Sequence, residues 1–449
     1  MGATERFAEF VVKSRWEDLP AAAVEQAKRA ILDTLGVMLA GSAEPAAGIV
    51  RGLAEAEGGA PRCAVVGTKM RTGAVWAALA NGTAAHALDF DDTNFAMMGH
   101  PSAPVLAAAL AAGELCGAGG RALIHAYLLG FEVETALGAA MNPAHYEHGW
   151  HATGTLGSLG AAAAASRLLR LDAGKTRTAL ALAASQASGL KENFGTMAKP
   201  FHAGHAARTG VLSALLAREG FTASEQALEG PQGYLKVLGG EANMAALETL
   251  GGPWRILSTG IAVKPYPSCA MTHSAIDALL ELRSRHGVRP EEVTAVEIGV
   301  APVVPGILIH PKPQSGLEAK FSMEYCAAAA LAEGRVGIDT FADDRVRDLG
   351  VRALMERVRT MVDPALSGHL DRHGWSRVTL RLADGRQLTW GPGGPQGHPD
   401  RPLSQEQLLA KFRDCALVAL PAESVDAAAE AIAKLERCPE LAQLTALLG

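Results

Sequence analysis

From its start to about residue 260 this chain repeats one pattern: apolar residues at steps of three and four, with alanine or glycine at many positions between them. Val24, Ala27, Ile31, Leu35 and Met38 form one such stripe and predict a helix ending near Gly41. Segments 72–88, 102–115, 121–140, 155–171, 173–188 and 204–219 read the same way. Small interior residues let helices approach closely but give each little apolar area to bury. Such a domain must be held by many contacts, a subunit interface among them.

After about residue 261 the pattern changes. VTAVEIGV (293–300) alternates like a strand, and RVTLRLADGRQLTW (377–390) reads as a hairpin turning at Asp384-Gly385. A helix over 272–285 accompanies them, and the Pro- and Gly-rich stretch 391–402 leads out. Ser404 and Gln407 then form a capping-box pattern that opens a helical tail. The expectation is a mainly α protein: a large all-helical domain from 1–262 plus 400–449, and a smaller α+β domain over 263–399.

Composition narrows the function. Charged residues make up 20%, aromatics 5%, and the net charge is -6, with no basic stripe, so nucleic acid is not the expected partner. The first twenty residues lack an apolar core with a cleavage site, and the longest apolar runs, such as 159–165, fall short of a bilayer span. Six cysteines are scattered without a CxxC pair, which suits reduced thiols in the cytoplasm.

Five polar clusters interrupt the apolar background. HALDFDDT (86–93), followed by GHPSAPVL (99–106), puts His86, Asp89, Asp91 and Asp92 within seven residues, and carboxylates that crowded belong at a metal site, a proton-transfer site or a helix cap. HYEHGWH (145–151) holds three histidines around Tyr146. KENFGTMAKPFHAGHAARTG spaces Lys199, His202, His205 and Arg208 in threes, roughly one helix face beyond Pro200. VKPYPSC carries Lys264 and Tyr266, and EAKFSMEYC runs from Glu318 to Cys326.

Each cluster also has a plain structural reading: Asp89 and Asp91 as caps, the histidines as solvated loop residues, Lys199 as a surface lysine, Tyr325 as core. A metal suits His and Asp, but HExxH is absent and the Asp-rich run lacks the Gly and terminal Glu of a calcium loop. No GxGxxG or P-loop pattern supports nucleotide chemistry. Proton transfer fits better than a metal site.

Read in order, HALDFDDT with GHPSAPVL, GWHATGTLGSLGAAAA, GTMAKPFHAGHAARTG, KPYPSCAMTH and AKFSMEY resemble the MmgE/PrpD family, which includes 2-methylcitrate dehydratases, cis-aconitate decarboxylases and iminodisuccinate epimerase. The resemblance runs from about residue 31 to 330. It implies a helical domain with a smaller α+β lid, a homodimer, and a cofactor-free site in the cleft between the domains that acts on a small di- or tricarboxylic acid.

Carried over by motif, the resemblance implies a pocket of Asp89, Thr93, His100, His151, Lys199, Lys264 and Tyr325. Lys199 and Lys264 would bind carboxylates and stabilise developing negative charge, and His151 would be the general acid or base. Asp89 would orient a neighbouring cation; Thr93, His100, Tyr325, His202 and Cys269 would contact substrate. The decarboxylase members place a His five residues after the lysine of the fourth motif, where this chain has Cys269. GHPSAPVL, HYEHGWH and that cysteine are similar to the epimerase branch, in which Tyr146 would act on the opposite face of a planar intermediate. The expectation is therefore epimerisation of an iminodisuccinate-like substrate. The alternatives are a 2-methylcitrate-type dehydratase, then a cis-aconitate-type decarboxylase, and, from another class, a non-catalytic polycarboxylate-binding helical dimer.

Overall fold

The structure is a computed structural model, and it describes residues 1–367 and 374–449. The fold is mainly helical with a smaller mixed α+β region. The chain divides into two compact units: Met1–Glu192, Ala198–Ile261 and Ser404–Gly449 make the first, Asn193–Met197 and Ala262–Leu403 the second. Among the described residues no helix is long and apolar enough to cross a membrane.

The first unit is built from α1 (Ala3–Lys13), α2 (Ala21–Gly41), α3 (Pro45–Glu57), α4 (Ala74–Ala87), α5 (Ser102–Leu115), α6 (Gly120–Met141), α7 (Ala144–Glu147), α8 (Ala152–Leu168), α9 (Ala173–Gln186) and α10 (Ala198–Arg218). It is not purely helical, because β1 (Cys63–Ala64) pairs antiparallel with β2 (Arg71–Thr72) between α3 and α4. α10 begins six residues before the stretch that its periodicity marks, so Lys199 and Pro200 lie inside its first turn. A proline is tolerated there because the first amides have no helical acceptor.

Close approach, rather than bulk, sets the packing of this unit. A buried methyl-sized group contributes about 0.8 kcal/mol against about 1.5–3 kcal/mol for a whole Leu side chain, so alanine helices gain by touching along their length. At the crossing of α4 and α10 a Cβ on Gly82 would stand 2.8 Å from Gly204 Cα, and one on Gly204 would stand 2.4 Å from Leu79 O. That backbone contact brings the end of α4 to the start of α10. A Cβ on Gly210 would meet Ala161 of α8 at 2.4 Å, so α8 joins the same stack.

The C-terminal tail folds back onto this unit. Ser404 and Gln407 close the capping box that starts the helix Gln405–Ala416. From that helix Lys411 Nζ reaches Asp33 Oδ1 of α2 at 2.6 Å and donates to Phe90 O at 2.8 Å. The tail therefore grips the backbone of the Asp-rich run.

The second unit is a four-stranded sheet with helices. β3 (Val293–Val300), β4 (Val358–Val362), β5 (Ser376–Leu382) and β6 (Gln387–Gly393) lie in the order β4-β3-β5-β6, with β3 parallel to β4 and antiparallel to β5. β5 and β6 form a hairpin that turns at Gly385, where φ is 88°. Its core joins Val296, Ile298, Val378 and Leu380 to the helices His273–His286 and Met323–Glu333. β4 has no counterpart in the expectation from sequence.

Candidate active site

The site in the first unit starts where α4 ends. Asp89 adopts φ 51°, a left-handed turn that Asp tolerates better than most residues. The Lys199 ammonium donates to Asp89 Oδ1 at 2.7 Å and to His86 Nε2 at 2.8 Å. An ammonium has no lone pair, so His86 Nε2 must accept, and its proton sits on Nδ1, which donates to Asp91 at 2.9 Å. One buried line thus runs Asp91, His86, Lys199, Asp89.

Two further imidazoles stand against it. His100 follows a loop closed by the Asn94–Gly99 bridge and anchored by Asn94 Nδ2 on Gly260 O at 2.7 Å. Its backbone N donates to Thr153 Oγ1 at 3.0 Å, and its ring faces His86 at 4.4 Å between centroids, with Nδ1 3.3 Å from Asp91 and Nε2 3.6 Å from Asp89. His151 is the N-cap of α8; its ring stacks on His86 at 5.6 Å, and its Nδ1 lies 3.0 Å from Nδ1 of His202. Thr93 Oγ1 is buried and has no hydrogen-bond partner among the described residues.

Burial dominates the electrostatics. It pushes the His86 imidazole down to about 3, with Lys199 and His100 adding to the shift and Asp91 opposing it. His151 is driven well below its ordinary value by burial, then by Lys199 and the other imidazoles, and His202 falls to about 4 for the same reasons. Burial alone would raise Asp91, but His86 and His100 outweigh it and hold the carboxyl well below its usual range. The resting site is therefore an ion pair flanked by an anchored carboxylate and neutral imidazoles, which can accept protons when an anion arrives.

Seven of the expected residues, Asp89, Thr93, His100, Tyr146, His151, Lys199 and His202, belong to this unit, and all but Thr93 and Tyr146 are joined there by the contacts described. Tyr146 lies on α7 with the Lys191 ammonium 3.8 Å over its ring. Three belong to the second unit. Lys264 is buried, Cys269 lies before the turn Ala270–Thr272 with its N donating to Lys320 O at 3.0 Å, and Tyr325 sits in the core with its hydroxyl donating to Thr340 O at 2.5 Å. Of the crowded carboxylates, Asp92 accepts from Ser102 N and Oγ and so secures the start of α5.

Sequence reasoning left His86, Asp91 and Lys411 out of the pocket. The signal for the first two was the five-residue step from His86 to Asp91 across a helix end. Lys411 is more than 300 residues away and gave none.

His86, Asp89, Asp91 and His100 also offer ligand atoms within 4.8 Å of one another, a geometry that would suit a metal ion. The Lys199 ammonium, however, already contacts two of the four, so a cation placed there must displace or repel it. The donor set fits a protein-borne cation better than an added one.

Comparison with known proteins agrees with the fold. The model described as the MmgE/PrpD N-terminal domain matches residues 5–246, and that of the MmgE/PrpD C-terminal domain matches residues 266–437. A cis-aconitate decarboxylase from Mus musculus is 30% identical over 456 residues, 99% of this chain and 93% of that protein. Its Homo sapiens counterpart is 29% identical over 99% of this chain and 94% of that protein, and one from Aspergillus terreus is 26% identical over 100% and 96%.

These relatives overturn the placement in the iminodisuccinate epimerase branch. That placement leaned on HYEHGWH, and the structure shows why the motif misleads. His145 is buried in packing, with Nδ1 on Leu238 O and Nε2 on Thr155 Oγ1, and His148 is exposed. Of its three histidines, only His151 contacts the cluster through the interactions described.

Proposed function

The chain belongs to the MmgE/PrpD family, and from that premise we propose that it is a lyase that removes carbon dioxide from a small unsaturated tricarboxylate of the cis-aconitate type. The observation that carries the reading is the buried Lys199 ammonium, held between His86 and Asp89 beside neutral imidazoles. The names of the relatives supply the substrate class.

In such a substrate the bond from the methylene to the departing carboxylate breaks, and its electron pair becomes a new double bond. The old double bond's pair moves to the carbon beside a remaining carboxylate, where a proton must arrive. Lys199 stabilises the charge that builds on that carboxylate. Lys264, matched by motif, is the second cation. His151 supplies the proton. It is neutral before substrate binds, and the charge of a bound polyanion offsets its burial so that substrate and proton enter together. His202 holds the His151 ring through Nδ1, while Thr93 and His100 orient a substrate carboxylate.

A second reading, water elimination or addition by a dehydratase-type lyase, is favoured by Cys269 at the position where decarboxylases carry a histidine. Incubating the protein with cis-aconitate, citrate and 2-methylcitrate, and following carbon dioxide and products by mass spectrometry, separates the two. Release of carbon dioxide from cis-aconitate is expected. Gain or loss of water alone would support the second reading, and no turnover of any acid would leave a binding protein.

A further inference from the structure

We propose that the first unit carries a second anion site, a pocket for a ligand with two or more phosphate charges, separate from the histidine and lysine cluster. A cavity of about 860 Å³ is lined by Arg121, Arg167, Arg170 and Arg218 together with Trp16 and His125. Glu17 is the one carboxylate among its described lining residues, so four guanidinium groups meet one acid on a chain whose net charge is -6. The volume lies in the range of small-molecule sites and suits a ligand of nucleotide size.

Arg218 Nε pairs with Glu219 at 3.0 Å, but internal pairing does not account for the other three arginines. Among the described residues Arg121, Arg167 and Arg170 have no carboxylate partner: Arg167 donates to the carbonyls of Val11 and Val12, and Arg121 lies 5.8 Å from the Trp16 ring centroid. Arginine at a helix end is often no more than a partner for the helix dipole, and Arg167 and Arg218, in the last turns of α8 and α10, fit that role. Arg121 does not. It stands in the first turn of α6, the positive end, where a cation is disfavoured and an anion is welcome. Arg170 stands just past the end of α8 at φ 54°, the left-handed position of an ordinary helix stop, with Leu171 N donating to Ser166 O at 3.0 Å.

The two sites are well separated. α8 runs from its N-cap His151 to Arg167, sixteen residues or about 24 Å of helix. Guanidinium forks match phosphate oxygens in pairs, and the Trp16 face can hold a flat group beside them.

Titration calorimetry of the full chain with inorganic pyrophosphate and with ADP tests this. Sub-millimolar binding of at least one is expected, weakened about tenfold or more in R121Q/R170Q with turnover unchanged, and retained in Lys199→Met. Tighter binding of ADP than of pyrophosphate supports a nucleotide ligand, and equal binding supports recognition of the diphosphate alone. The proposal is overturned if neither binds, if R121Q/R170Q binds as well as the parent, or if Lys199→Met abolishes binding. It also fails if R121Q/R170Q changes the oligomeric state, for the face would then be a contact between copies of the chain.

Discussion

In the proposed reaction Lys199 is the residue on which the chemistry turns. Lys199→Met keeps the length of the side chain and removes the ammonium that His86 and Asp89 hold. Loss of one stabiliser of developing negative charge costs about 10²–10³ in kcat, so the variant is expected to fold, by circular dichroism, and to lose at least a hundredfold in turnover. Retention of more than half the activity would remove Lys199 from the mechanism. In the same proposal Asp91 acts one step back, as a positioning residue that fixes the His86 proton on Nδ1. Asp91→Asn keeps the shape but lets the imidazole reverse its tautomer, so kcat is expected to fall about tenfold or more and the pH profile of kcat to move. A lower melting temperature with an unmoved profile would make Asp91 merely structural.

At the scale of elements, the site depends on a crossing that side-chain motifs do not record. Gly204→Ala would put a Cβ 2.4 Å from Leu79 O and 2.2 Å from Thr83 Oγ1, so α10 must shift away from α4. Overpacking of this kind costs about 1–3 kcal/mol. Because the shift also parts Lys199 from His86, activity is expected to fall further than the denaturation midpoint alone accounts for; a stable, fully active variant would show that the crossing does not set the site. Helices were legible because three-and-four spacing survives even in alanine-rich sequence, as in α5, where the expected 102–115 and the observed Ser102–Leu115 agree. β4 was not legible. In Val358–Val362 only Val358 is buried, and the strand pairs in parallel with β3 across a long connection, so neither alternation nor a hairpin turn marks it. The start of α10 was missed because the helical stretch was counted only from residue 204, whereas Pro200 is a first-turn residue. Tyr325 shows the converse: a motif tyrosine whose hydroxyl is taken up by Thr340 inside the core.

For the whole molecule, the number of buried neutral histidines predicts sensitivity to acid. Burial lowers His86 to about 3 and His125, His145 and His202 to about 4, and drives His151 well down. Unfolded, each titrates near 6.5, so below that pH the unfolded chain binds more protons. Their contribution is complete above about pH 6.5 and is lost as the pH falls toward 4. The carboxyls of Asp92, Glu132, Glu134 and Asp277, raised chiefly by burial, slope the opposite way and offset part of this. A net excess of one histidine gives about 1.4 kcal/mol per pH unit. Urea midpoints measured from pH 7 to pH 5 are expected to fall; a flat or rising series would mean that the raised carboxyls outweigh these imidazoles or that the imidazoles are charged in the folded state. What the sequence could not convey at this scale is the company each motif residue keeps. Local spacing marked Lys199 and the Asp-rich run as chemical, while their meeting depends on glycines far from either motif and on Lys411 near the other end of the chain.

The central claim is that His151 delivers a proton to carbon as carbon dioxide leaves. Turnover of ¹³C-labelled cis-aconitate in D₂O, followed by NMR, tests it directly. The account predicts release of carbon dioxide and one deuterium on the product carbon beside the retained carboxylate, both lost in His151→Ala. Carbon dioxide release that persists in His151→Ala with the same deuterium content, or no release by the parent protein, would contradict it.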